Sequence, residues 1–177
     1  DIKQLQKSNW EIGLHTDPSS IDDLDKIRLE KEKLESITGK QIIGNRVHFL
    51  NYNPELPNKL EKLGFIYDSS LRHSKDRIDE KEMGYSRIHG IIEFPVTLMD
   101  AYLFTYMKIR EEKIISEFQK TLDLGRSLSE NNVISVIWHE NVLKMKGGRV
   151  YKQILEFLTS QDDVEIKRGI DLVKILK

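Results

Sequence analysis

Apolar residues along this chain follow two alternating spacings. Short runs rich in Ile and Val, "NWEIGLH", "QIIGNRVHFL", "FIYDSS", "GIIEFPV" and "NVISVIWHE", read as buried strands. Between them apolar positions recur at helical spacing. In "SSIDDLDKIRLEKEKLESITGK" these are Ile21, Leu24, Ile27, Leu34 and Ile37. Ser19 or Ser20 is expected to cap this helix, Asp22 and Asp23 to favour its first turn, and Gly39 to end it. "NPELPNKLEKLG" predicts a short helix closed by Gly64. "REEKIISEFQKTLDLGRSLSEN" and "GRVYKQILEFLTSQ" predict longer helices. "DVEIK" predicts a short strand, and "GIDLVKILK" a closing helix. The βα rhythm predicts a parallel sheet covered by helices, open or barrel-shaped. Residues 71–89, "LRHSKDRIDEKEMGYSRIH", break the rhythm. They are charged, aperiodic and long for a loop, which predicts a functional or mobile segment.

The 177 residues suit one domain, spanning residues 1–177. A composition 38% hydrophobic and 32% charged can fill a core and keep a charged surface. The net charge of −1 offers no footprint for nucleic acid or an acidic membrane. The absence of cysteine excludes thiolate metal sites, disulfides and cysteine catalysis within the chain. No apolar run approaches the roughly 20 residues of a membrane-spanning helix. The chain opens with Asp1 rather than Met, so upstream sequence is expected.

Active sites of parallel βα folds lie at the carboxyl ends of the strands. The strand ends here deliver His15-Thr16-Asp17, Arg46-Val47-His48, Tyr67-Asp68-Ser69-Ser70, Asp100, and Trp138-His139-Glu140. Three of the five histidines occupy such ends, and the fold rule predicts one shared mouth. Each also has a plainer explanation. A strand-end His can be a satisfied hydrogen-bonder, Asp17 can make a turn or cap the next helix, and Arg46 can bridge to Asp68. His73 and His89, inside 71–89, are expected at the surface.

In order, these stretches resemble the NodB-type polysaccharide deacetylases, from about Trp10 to the end of the chain. "EIGLHT" resembles the second family motif, where His-Ser/Thr opens a metal-binding turn. "GNRVHFL" resembles the third, an Arg-containing strand end that lines the groove, and "EFPVTLMDAYLF" resembles a segment of a subgroup with Arg-x-His in that third motif. "LEKLGFIYDSSL" resembles the segment that follows it, and "SVIWHEN" the last motif, a strand ending in a catalytic His. The resemblance implies a distorted (β/α) barrel, incomplete at its N-terminal side. It also implies a divalent-metal hydrolase (Zn, or Co, Ni or Mn) that removes N-acetyl groups from a glycan or sugar precursor. Carried over, His15 is a metal ligand, His139 the general acid and Arg46 an orienting catalytic group. Trp138, Asp17, Asp68 and Asp100 would line the substrate site.

Two departures qualify what the resemblance implies. The first family motif, an Asp-Asp strand end supplying a base and a metal ligand, is not found in this chain. The second motif normally carries another His four residues after the first, and that position is Ser19. His48 or Asp17 would have to substitute as a ligand. A deacetylase-like domain that binds carbohydrate without hydrolysing it is therefore the alternative. The expected partner is an N-acetylated carbohydrate. An oligomer stays open, because missing early strands expose a sheet edge.

Overall fold

A computed structural model describes residues 2–129 and 132–176. In chain order the strands are β1 (Leu14–Thr16), β2 (Gly44–Val47), β3 (Tyr67–Asp68), β4 (Ser86–Ile88), β5 (Ile91–Glu93), β6 (Val96–Met99) and β7 (Ser135–Ile137). The α-helices are α1 (Ile2–Lys7), α2 (Leu24–Thr38), α3 (Leu56–Lys62), α4 (Ile114–Leu128), α5 (Lys146–Thr159) and α6 (Gly169–Ile175). The chain divides into two compact units. One comprises the chain through Leu71, Tyr85–Phe94, and the stretch from Lys167 onward; the other comprises Arg72–Gly84 and Pro95–Ile166.

The first unit holds a five-stranded sheet in the order β1-β2-β3-β5-β4. β1, β2, β3 and β5 run parallel, and β4 returns antiparallel to β5. Its core packs Leu14, Ile27, Ile42, Val47, Leu56, Leu60, Phe65 and Ile91. Helix α2 begins one turn later than expected. Ser20 sits in a separate helical turn, Pro18–Ser20, capped by Asp17. The cap of α2 is Asp23, whose carboxylate accepts the Asp25 and Lys26 N–H groups. Gly39 ends the helix in the left-handed region at φ 65°, donating its N–H to Glu35 O.

Tyr67 is wedged in this unit by glycines on two elements. A Cβ on Gly44 of β2 would lie 2.2 Å from the Tyr67 ring, and one on Gly169 of α6 would lie 2.4 Å from it. The Tyr67 hydroxyl donates to Glu11 Oε1 at 2.8 Å. Burial, and next to it the Glu11 charge, hold this phenol well above its ordinary value.

The second unit pairs β6 and β7 in parallel and packs α4 and α5 into a core of Leu98, Leu103, Ile114, Phe118, Val150 and Ile154. The expected strand "GIIEFPV" is two strands. Pro95 has no N–H to place in a ladder, so pairing breaks there and the chain passes from one unit to the next. "DVEIK" forms no strand, and Ile166 is 58% exposed, with no burial to repay extended pairing. Among the described residues the strands form one five-stranded and one two-stranded sheet, and no closed barrel.

The aperiodic segment is held by buried charge. Glu82 accepts the His73 and Ser74 N–H groups at 3.0 and 2.8 Å. Its carboxylate lies 3.6 Å from Arg72, the two side chains being 0% and 3% exposed. Arg72 donates to the Val96 and Thr97 carbonyls at 2.7 and 2.8 Å and lies over the Tyr102 ring.

Candidate active site

The expected site residues fall into two groups, one in each unit. In the first unit β1 and β2 are in register at His15 and Arg46, which places both strand ends together. His15 Nδ1 lies 2.9 Å from Arg46 O. A carbonyl only accepts, so Nδ1 carries the hydrogen of this bond. The His48 ring lies 4.9 Å from that of His15, tilted by 31°. Phe49 follows with φ 61° and Leu50 with φ 53°, two consecutive left-handed residues that carry backbone strain. The Phe49 ring is edge-on to His48 and 80% exposed. His15, Asp17, His48 and Phe49 border a cleft of about 700 Å³ whose apolar lining includes Ile12, Leu14, Leu34 and Ile37.

Asp17 makes the turn. Its Oδ1 accepts the Ser19 N–H at 2.8 Å and the Ser19 hydroxyl at 2.7 Å. Those bonds, with a smaller contribution from the His48 field, hold its carboxyl below the ordinary value. The Ser19 hydroxyl, at the position where a second His was expected, is thus spent on Asp17. Among the described residues no group of three or more His, Asp or Glu side chains converges as metal ligands would. Two imidazoles without a third donor do not make a tetrahedral site. The residues present therefore do not complete the divalent-metal centre that the resemblance implies.

Arg46 does not bridge directly to Asp68. Its guanidinium donates to Ser69 O at 2.9 Å and Ser69 Oγ at 2.8 Å. Burial lowers its pKa, against the opposing fields of Asp68, Tyr67 and Glu93. Asp68 is 0% exposed, which sets it behind the surface rather than against a substrate. It belongs to a buried polar row that runs across four strands. Thr16 donates to Asn45 Oδ1 at 2.6 Å, Asn45 donates to Asp68 Oδ1 at 2.8 Å, and Glu93 stands in register with Asp68. Sequence reasoning missed Asn45 and Glu93. The available signal was a carboxylate inside the apolar run "IIEF", an expensive place for a charge.

In the second unit the parallel pair β6–β7 sets Met99 beside Ile137, so both strands end side by side. Asp100 leaves one end and Trp138-His139 the other. Asp100 is 0% exposed, and its oxygens accept His139 Nδ1–H at 2.6 Å, His139 N–H at 2.7 Å and Ala101 N–H at 2.6 Å. It too is buried, and it fixes the His139 ring. His139 remains 43% exposed at its side chain, with Nε2 as the nitrogen that can exchange a proton. Trp138 packs among Phe104, Phe118 and Tyr151, and its indole N–H donates to Gly147 O at 3.2 Å. It packs against the core of this unit. His73 and His89 are exposed.

No family model and no curated relative matches this sequence. Solved structures do. A proposed polysaccharide deacetylase from Mycobacterium smegmatis superposes with a TM-score of 0.74 at 18% identity, over 98% of this chain and 65% of its own. An allantoinase gives 0.74 at 16% identity, over 98% of this chain and 61% of its own. The chain carries the NodB-type fold. A 4-alpha-glucanotransferase from Thermococcus litoralis matches at 0.60 and 16% identity, over 98% of this chain and 30% of its own. The chain thus spans less than two thirds of the length of each of these proteins. The NodB-type fold accounts for the parallel strands and for polar residues gathered at their carboxyl ends. It does not select among the activities of proteins that share it.

Proposed function

We propose that the protein is a hydrolase that cleaves the amide of an N-acyl, principally N-acetyl, group on a glycan or sugar precursor. The observation that carries this reading is the Asp100–His139 pair, an accessible imidazole fixed in one tautomer by a buried carboxylate. Water adds to the amide carbonyl and the C–N bond then breaks; amide nitrogen leaves poorly as an anion, so collapse of this tetrahedral adduct to carboxylate and amine needs a proton at that nitrogen. The imidazolium form of His139 supplies it from Nε2, while Asp100 holds Nδ1–H and stabilises the positive ring until transfer. Arg46, gripped by Ser69, is proposed to orient the acyl group or a carboxylate acting as base. Asp17 borders the substrate cleft. His15 and His48 are proposed as two imidazole ligands for a divalent ion. The described residues do not complete such a site, and no step is assigned to it.

The test is acetate release from an N-acetylated hexosamine oligomer. Hydrolysis is expected, with a loss of about 10²–10⁴-fold in His139→Ala, the usual contribution of a general acid. An unchanged rate in that variant removes the assignment. A second reading, carbohydrate binding without hydrolysis, is favoured by Ser19 in place of a ligand and by the two-imidazole set. It predicts calorimetric binding of the same oligomer with no acetate released.

A further inference from the structure

Asp68 and Glu93 are neighbours in register on the parallel strands β3 and β5, and both are 0% exposed. Each carboxyl has one oxygen fully engaged. Asp68 Oδ1 accepts from Asn45 Nδ2 and Ser70 Oγ, both at 2.8 Å. Glu93 Oε1 accepts the Ser70 and Leu71 N–H groups at 3.1 and 2.9 Å. The other two oxygens, Asp68 Oδ2 and Glu93 Oε2, are buried and have no donor among the described residues. In-register residues of adjacent parallel strands project to the same face of the sheet, so the two carboxyl groups are cross-strand neighbours. Two buried carboxylates side by side, each with a bare oxygen, are unstable unless a proton joins them.

We propose that Asp68 and Glu93 jointly hold a single proton, and that this proton locks the Ser69–Leu71 turn that grips Arg46. The donor pattern places the proton on Glu93. Asp68 then receives hydrogen bonds from Asn45, Ser70 and Glu93, as an ionised carboxylate should. Glu93 Oε1 acts as a carbonyl toward two backbone N–H groups, and Oε2–H donates to Asp68. Charge balances as well: the singly protonated pair carries one negative charge opposite the Arg46 guanidinium. The turn depends on the pair at three points. Ser70 N–H and Leu71 N–H rest on Glu93, and the Ser70 hydroxyl, which accepts the Val47 N–H at 2.9 Å, rests on Asp68. Ser69, in the same turn, holds Arg46. Glu93 is thereby a positioning residue for Arg46, and the inference does not depend on which reaction Arg46 serves.

The titratable and charged groups facing the pair are Arg46 from β2, Tyr67 from β3 and Tyr52 from the loop after β2. Both phenols are held above their ordinary value, chiefly by burial, so Arg46 is the charged neighbour. Burial, and next to it the charge on Asp68, push the Glu93 carboxyl up to about 9. Burial raises Asp68 as well. A carboxyl raised in the folded state binds a proton that the unfolded chain has released. Its contribution to stability is complete below the ordinary value of 4.5 and is lost as pH rises toward about 9.

The experiment follows unfolding of the wild type and Glu93→Gln from pH 5 to 9, alongside carboxyl ¹³C titration of the wild type. Across this window the folded-to-unfolded ratio of the wild type is expected to fall by up to about tenfold per pH unit. Gln presents an amide oxygen to Ser70 and Leu71 and a permanent N–H donor to Asp68. Glu93→Gln should therefore lose most of that slope and gain on the wild type at alkaline pH. One carboxyl carbon of the pair should stay protonated through neutrality. Parallel pH slopes for the two proteins, or both carboxyl carbons titrating in the ordinary carboxylate range, would overturn the proposal. The ¹³C measurement decides even where the variant fails to fold.

Discussion

A carboxylate at 0% exposure and an imidazole at 43% make an asymmetric pair: Asp100 cannot move, and His139 can act. Asp100→Asn keeps the shape but removes the negative partner of the imidazolium and can present an N–H where the ring needs an acceptor. If the proposed hydrolysis holds, kcat is expected to fall by roughly 10–100-fold with KM little changed, because the residue acts through His139. A variant that weakens KM alone would point to a substrate contact instead. In the first unit the rings of His15 and His48 lie 4.9 Å apart, and no third His, Asp or Glu joins them among the described residues. Titration with Zn²⁺, Co²⁺, Ni²⁺ or Mn²⁺ should therefore give at most weak binding, lost in both His15→Ala and His48→Ala. Tight binding that survives either substitution would place the ion elsewhere. The placement of His15 and His139 at the ends of apolar runs was legible in the sequence, because a polar residue ending such a run is visible locally. Their fixing partners, Arg46 O and Asp100, were not legible as partners. The second pair is 39 residues apart in the chain and meets only through the register of β6 and β7.

Among elements, Arg72 and Glu82 decide the state of the charged segment that sequence reasoning marked as functional or mobile. Glu82→Ala leaves the Arg72 guanidinium buried without its carboxylate and strips the Ser74 and His73 N–H groups of their acceptor. Loss of one member of a buried pair costs about 3–5 kcal/mol. Urea unfolding should show that loss, and limited proteolysis should cut first within residues 72–84. A loss near that of an exposed pair, ~0–1 kcal/mol, would mean the segment contributes little. Tyr67 offers a second check. Gly169→Ala sets a Cβ 2.4 Å from its ring, so α6 must shift, at a cost of ~1–3 kcal/mol in thermal or urea unfolding. Helix ends were only partly readable. Gly39 punctuated α2 as its residue type implied, but Asp17 and Asp23 took the caps expected of Ser19 or Ser20, because two successive helical starts compete there.

For the whole molecule, two sets of carboxyl groups push stability in opposite directions with pH. Asp17, Glu35, Asp79, Asp163 and Asp171 are all held below their ordinary values by hydrogen bonds or cationic partners. Groups lowered in the folded state stabilise it above the unfolded pKa and lose that contribution as pH falls through the folded one. The raised pair Asp68–Glu93 works the other way, losing its contribution as pH rises from 4.5 toward about 9. Melting temperature scanned from acid to alkali is therefore expected to peak on the acid side of neutrality, at roughly pH 5. A flat plateau through pH 8 would contradict the alkaline limb.

Residue order alone determined the alternation of strands and helices, the parallel character of the sheet, and the polar strand ends. These depend on side-chain periods of two and 3.6 residues, and such periods are local. Tertiary structure decided the rest. It split "GIIEFPV" at Pro95 and spent Ser19 on Asp17, leaving two imidazoles where a three-donor site was expected. It also set Glu93 beside Asp68. Each outcome depends on which strand lies next to which and in what register. That is settled by packing and by the pairing of buried polar groups, not by any one stretch of sequence.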